Sequence, residues 1–162
     1  MASGRKTRLR VLRGYDVPLQ ERGRAALLTL IRVFGRFTEA TTRLVKEYEL
    51  TLPHFEVLLC LHSGEGISQQ ELSDRLLLTK GNICVIVQKM ESSGLIERRS
   101  DATDQRFHRL YLTDRARRLM ARVMPGHHDL LARMLAGLSM QEQKTLLELL
   151  SRIDNSLDEI LE

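Results

Sequence analysis

The sequence predicts a mainly α chain carrying one small antiparallel sheet, on three observations. Ser68 and Glu71 have the spacing of a capping box, in which the serine oxygen takes one orphan amide and the glutamate reaches back to another. Thr79, a good N-cap residue, precedes Ile83, Ile86, Val87 and Met90 at helical spacing. After Gly94, where a helix can turn off in the left-handed region, the period changes, and Leu95-Ile96 and Phe107 to Leu112 favour strands. Two short helices joined by a tight turn, then a two-stranded hairpin, make the outline of a winged helix-turn-helix, an α+β unit within a mainly α chain.

The elements follow in chain order. Residues 1–17 carry Arg5, Lys6, Arg8, Arg10 and Arg13 with few acids, a basic N-terminal arm that either tracks phosphates or is simply solvated. Pro18 suits a helix opening. From Gln20 to Tyr48, Ala26, Leu27, Leu30, Ile31, Phe34, Phe37, Thr41, Leu44, Val45 and Tyr48 recur at i, i+3, i+4 spacing. That predicts one helix on the order of 40 Å long, more than a small core needs. Thr51 and Pro53 start the next helix, which ends near His62, with Phe55, Val57, Leu58 and Leu61 in the core and Cys60 as a buried, inert thiol. The helix from Ser68 turns Leu72, Leu76 and Leu77 inward, and residues from Arg98 to Arg106 form a charged hairpin tip.

Thr113 and Asp114 cap a long helix through Ala116, Leu119, Met120 and Val123, which Pro125-Gly126 interrupts with a bend before Leu130, Leu131, Met134 and Leu135 resume the period. Ser139 and Glu142 form a second capping box. The last helix then carries Leu146, Leu147, Leu149, Leu150, Ile153, Leu157, Ile160 and Leu161, a wider apolar face than a monomer leaves wet. The first and last helices therefore predict a homodimer. The organisation is an arm at 1–17, a helical dimerisation region at 18–50 and 114–162, and a winged lobe at 51–113, intertwined as one domain.

Composition narrows the function. A chain of 162 residues, 43% hydrophobic and 28% charged, fits one globular domain, and a net charge of +4 suits a nucleic-acid partner without requiring one. Two cysteines far apart make neither a disulfide framework nor a zinc pattern, which fits a reducing cytoplasm. No apolar run approaches the roughly 20 residues of a membrane span, and no apolar block follows the basic N-terminus as in a secretory signal. The chain has no Gly-rich phosphate loop, nucleophile elbow or HExxH motif, so neither an enzyme nor a bound cofactor is expected. His127 and His128 diverge by about 100° on a helix and read as surface or interface residues rather than metal ligands. His54 and His62, eight apart, make no metal site either.

The winged lobe carries the functional signal. Thr79, Lys80, Gly81 and Asn82 occupy the first turn of its second helix, small or polar and free of core duties. A helix entering a major groove presents such N-terminal residues to base edges. Asparagine can pair with adenine in bidentate fashion, and lysine can reach guanine acceptors or phosphate. Gly81 lets the backbone come close. Arg98, Arg99, Arg106 and Arg109 on the hairpin suit phosphates or a narrow minor groove. Any one of these arginines reads equally well as a solvated charge; the ordered array points to DNA. Cys84 lies one turn from Lys80 near the helix start, where neighbouring cations and helix N-termini activate thiols, which makes it a redox candidate with packing as the alternative.

The series Ser68-x-x-Glu71-Leu72, Thr79-Lys80-Gly81-Asn82, Glu91-x-x-Gly94-Leu95-Ile96-x-Arg98, Asp101-x-x-Asp104-x-Arg106 and Leu112-Thr113 resembles the MarR family of bacterial transcription regulators, over roughly residues 20–160. The resemblance implies a dimeric regulator, more often a repressor, that reads a pseudo-palindrome with half-sites about 10 bp apart. It also implies a minimal third strand at Ile67. The candidate DNA-contacting set is Ser68, Gln69, Thr79, Lys80, Gly81, Asn82, Val85, Lys89, Arg98, Arg99, Gln105, Arg106 and Arg109. Family ligands bind between the DNA-binding lobe and the dimerisation helices, which makes Phe34, Phe37, His54, Leu58 and Met124 candidates for a small-molecule effector site. Two departures stand out. Gln105 replaces a cation usual at the wing tip, and Cys84 and Val85 stand where polar or basic residues are usual, although Val85 can touch a thymine methyl group. Hydroperoxide-sensing members use a cysteine near the start of the first helix, and this chain has none there. The departures motivate an alternative, a winged-helix dimer that acts through protein contacts.

Overall fold

The computed structural model describes residues 22–100 and 108–161; the basic arm, Pro18, Gln105 and Arg106 lie outside them. Its elements are α1 (Arg22–Lys46), α2 (Leu52–Ser63), β1 (Ile67–Ser68), α3 (Gln69–Arg75), α4 (Lys80–Ser92), β2 (Ile96–Ser100), β3 (His108–Leu112), α5 (Asp114–Leu135) and α6 (Met140–Leu161). The chain divides into two compact units at the bond between Glu56 and Val57.

In the first unit α1 runs for 25 residues. Thr41 and Val45 are buried, whereas Leu27, Leu30, Ile31, Val33 and Phe34 on its earlier turns are exposed. The helix closes through Glu49 in the left-handed region (φ 59°), and the Leu50 amide donates back to the Val45 carbonyl at 3.1 Å. The Thr51 hydroxyl then accepts from the His54 amide at 3.4 Å as α2 begins.

The second unit holds the sheet, in the order β1-β3-β2, antiparallel throughout. Ile96 pairs with Leu112, Arg98 with Leu110 and Arg99 with Arg109, while Ile67 of β1 pairs with Leu110. Because alternate strand residues face opposite sides, Ile67, Ile96, Leu110 and Leu112 share the buried face. With them, Val57, Leu58, Leu61, Leu72, Ile83, Val87, Met90, Ala116, Met120 and Val123 make the core. The expected caps form. The Ser68 oxygen accepts from the Glu71 amide at 3.1 Å, and Thr79 and Thr113 accept from the amides of Asn82 and Ala116 at 3.3 and 3.2 Å. Ser139 closes its box with Glu142.

Several expectations are corrected. Leu77 faces out, 93% exposed, because α3 ends at Arg75 and Leu77 takes the left-handed turn (φ 51°) that leads into α4; Leu76 is half-buried at the C-cap. Ser73 is buried there instead, its hydroxyl donating to the Leu78 carbonyl at 2.6 Å. Arg98 and Arg99 belong to β2 and Arg109 to β3, because the ladder extends as far as the Ser100–His108 pair; they are ladder residues, not tip residues. As the resumed period implied, α5 runs on through Pro125 as one helix of 22 residues, with Met120 and Val123 buried before the proline and His127 buried after it. Of the two histidines read as surface or interface residues, His127 is buried, 6% exposed, and His128 is exposed. Cys60 is only half-buried. None of the residues of α6 is buried.

Candidate nucleic-acid interface

The helical period splits α4 into two faces. Ile83, Val87 and Met90 are buried, and Lys80, Gly81, Asn82, Cys84, Val85, Gln88, Lys89 and Ser92 are exposed. Gly81, Val85, Gln88 and Ser92, at i, i+4, i+7 and i+11, form one outward line. Gln88 and Ser92 were missing from the sequence reading, although their spacing from Gly81 would have found them. The Thr79 cap fixes the first turn, so Lys80, Gly81 and Asn82 project from a rigid helix start. Lys80 and Lys89 form no ion pair with any described residue.

The ladder arginines are engaged within the chain. Arg98 lies 3.5 Å from the Glu91 carboxylate of α4 and donates to the Gln69 side-chain oxygen of α3 at 3.5 Å. Arg99 pairs with Glu97 and stacks over the Tyr111 ring, 4.4 Å from its centre. Arg109, directly across from Arg99, donates to Glu71 Oε2 at 2.9 Å. Like charges opposed across a ladder repel, and here Glu97 and Glu71 offset them. These acids are site residues that reading the cations alone did not find. Only Glu97, two residues before Arg99 on one strand face, has a local sequence signal.

The capping residues have fixed roles. The Ser68 oxygen is committed to the Glu71 amide, and the Ser68 amide donates to Glu71 Oε2 at 2.7 Å. The Ser68 amide and hydroxyl, and then the Arg109 charge, hold the Glu71 carboxyl below its ordinary range. The start of α5 is tied to the end of α4. The Thr113 hydroxyl donates to the Gly94 carbonyl at 2.7 Å and Arg115 to the Ser93 carbonyl at 2.8 Å. Arg117 grips Glu65 through two nitrogens, one of them at 2.8 Å.

Of the effector candidates, Phe34 is 67% exposed, Phe37, His54 and Met124 are half-buried, and Leu58 is fully buried in the core. Cys84 lies exposed on the outward face of α4. Among the described residues no cluster of His, Cys, Asp or Glu is arranged to hold a metal ion, and no helix is long and apolar enough to cross a membrane.

Known proteins are similar to this chain in sequence and fold. The model of the MarR family matches residues 48–106. Over 129 residues the chain is 33% identical to the uncharacterized HTH-type transcriptional regulator YkoM of Bacillus subtilis (strain 168), covering 77% of this chain and 84% of that protein. AbsC, a MarR family transcriptional regulator from Streptomyces coelicolor, shares the fold with a TM-score of 0.79 at 22% identity, over 88% of this chain and 99% of AbsC. The transcriptional repressor CouR, solved bound to a 23-mer DNA duplex, matches with a TM-score of 0.69 at 28% identity, over 86% of this chain and 99% of CouR.

Proposed function

The chain belongs to the MarR family of transcriptional regulators, and on that premise we propose that it binds a pseudo-palindromic operator as a homodimer and acts there as a repressor. The observation that carries this reading is the outward face of α4, polar and basic at its capped start and free of any core role. Asn82 and Lys80 read base edges, Val85 meets a thymine methyl group, and Lys89 meets phosphate. Gln105 and Arg106 serve the wing tip. Arg98, Arg99 and Arg109 hold the wing in place, because each already faces an acid of its own chain. DNA-bound CouR, of the same fold, supports the docking. The homodimer rests on the uncovered apolar residues of α1 and α6. Such a regulator works in the cytoplasm.

Titrating duplex DNA at two salt concentrations tests the reading. Affinity should fall steeply with salt, with a log–log slope of roughly −0.9 per neutralised phosphate. An affinity indifferent to salt contradicts it. The paired wing arginines and the 52% exposed Val85 favour one second reading, a dimer that contacts proteins through the same face; absence of duplex binding in that titration selects it.

Control of binding is part of the proposal. A small-molecule effector acting through Phe34, Phe37, His54, Leu58 and Met124 would lower operator affinity, and Phe34→Ala should blunt its effect. Redox control through the exposed Cys84 would appear as a loss of affinity after mild peroxide that Cys84→Ser abolishes. Unchanged affinity after peroxide removes that branch.

A further inference from the structure

We infer that Glu71 is a positioning residue of the DNA-reading surface, which holds the wing against the helix pair through Arg109 and so sets the angle at which wing and α4 meet a duplex. The inference rests on the DNA-binding reading above and deepens it.

One carboxylate oxygen does two things. Glu71 Oε2 accepts the Ser68 amide at 2.7 Å, which closes the capping box of α3, and accepts Arg109 Nη1 at 2.9 Å. The first contact does not need a charge, since a glutamine at that position closes a capping box as well. The second does. Arg109 lies opposite Arg99 in the ladder, so the Glu71 carboxylate lowers the repulsion between two guanidinium groups that face each other.

The tie is also one of a pair. Arg98 and Arg99 are adjacent in β2 and therefore point to opposite sides of the sheet, and Arg109 shares the side of Arg99. Arg98 reaches Glu91 of α4 and Gln69 of α3 from one side, and Arg109 reaches Glu71 of α3 from the other. The two ties add to the β1–β3 pairing from opposite faces of the hairpin, so each opposes rotation about the other. A carboxylate beside the phosphate path repels DNA, so its presence exchanges affinity for geometry.

The experiment uses the full chain, a duplex selected from random sequence by the wild-type protein, and an unselected duplex, across a salt series. Glu71→Gln keeps the box and loses the charge pair. It should bind the unselected duplex about two- to fivefold more tightly at low salt, from the lost repulsion. The ratio of selected to unselected affinity should fall about tenfold, the scale of losing one good base contact. Its thermal midpoint should stay within a few degrees of wild type. Arg109→Gln should lose the same ratio, and Arg109→Lys should keep most of it. A ratio unchanged in Glu71→Gln overturns the inference, and so does a ratio that falls only together with a collapsed thermal midpoint, which would make Glu71 a cap and nothing more. Failure of the wild type to select any duplex would instead overturn the DNA-binding reading itself.

Discussion

Gly66 sits at φ 78°, and a Cβ added there would lie 3.1 Å from the Tyr111 hydroxyl oxygen. Both facts favour glycine: the left-handed backbone and the close approach of a ring from β3. Gly66→Ala should therefore cost about 1–3 kcal/mol in a denaturant titration. Adding Tyr111→Phe should recover only the steric part, because the backbone strain remains. His127 supplies a second test at this scale. Burial, and then the neighbouring His128, hold its imidazole below the ordinary value of 6.5. The unfolded chain then takes up this proton first as pH falls, so stability is lost as pH drops below about 6.5 toward the folded value, and is independent of this group above it. Comparing denaturant midpoints at pH 5.5 and 7.5 for wild type and His127→Gln should show a smaller acid loss in the variant. Of the local features, Ser68 with Glu71 was legible in the sequence as a pair three apart, and Thr79 and Thr113 as N-cap residues ahead of helical periods. The burial of His127 and the outward turn of Leu77 were not. The first depends on what packs over one face of α5, and the second on where a seven-residue helix stops.

At the scale of elements, the outward face of α4 and the start of α5 separate two kinds of contribution. Asn82→Ala should relax sequence preference with little change in binding to unselected DNA, whereas Lys89→Ala should weaken binding to all duplexes and reduce the salt slope by about 1. Thr113→Ala removes the N-cap of α5 and the bond to the Gly94 carbonyl together, and should cost about 1–2 kcal/mol by thermal or denaturant unfolding. The helices were legible from their apolar spacing, and the hairpin from the change of period after Gly94. The extent of the ladder was not, because charged residues such as Arg98 and Arg99 carry no strand preference of their own and join β2 only through their partners in β3. The pairing of Glu71 with Arg109 was hidden for the same reason: the two lie 38 positions apart, and the β1–β3 register brings them together.

At the scale of the whole molecule, the question is what covers α6. Leu146, Leu147, Leu149, Ile153, Leu157, Ile160 and Leu161 are all exposed along it, and Leu27, Ile31 and Phe34 along α1. The sequence announced this stripe plainly, since its period is regular and its excess over the needs of one small core can be read from length alone. On the dimer reading, Leu157→Asp should shift the protein toward monomer in sedimentation equilibrium and lower operator affinity, while leaving the winged lobe folded. The most direct measurement is the stoichiometry and footprint of the protein on a selected duplex. Two protomers per duplex, protecting two major-groove segments about 10 bp apart, is the expected result. One protomer per duplex, or protection without that spacing, would contradict a paired reader built on α4.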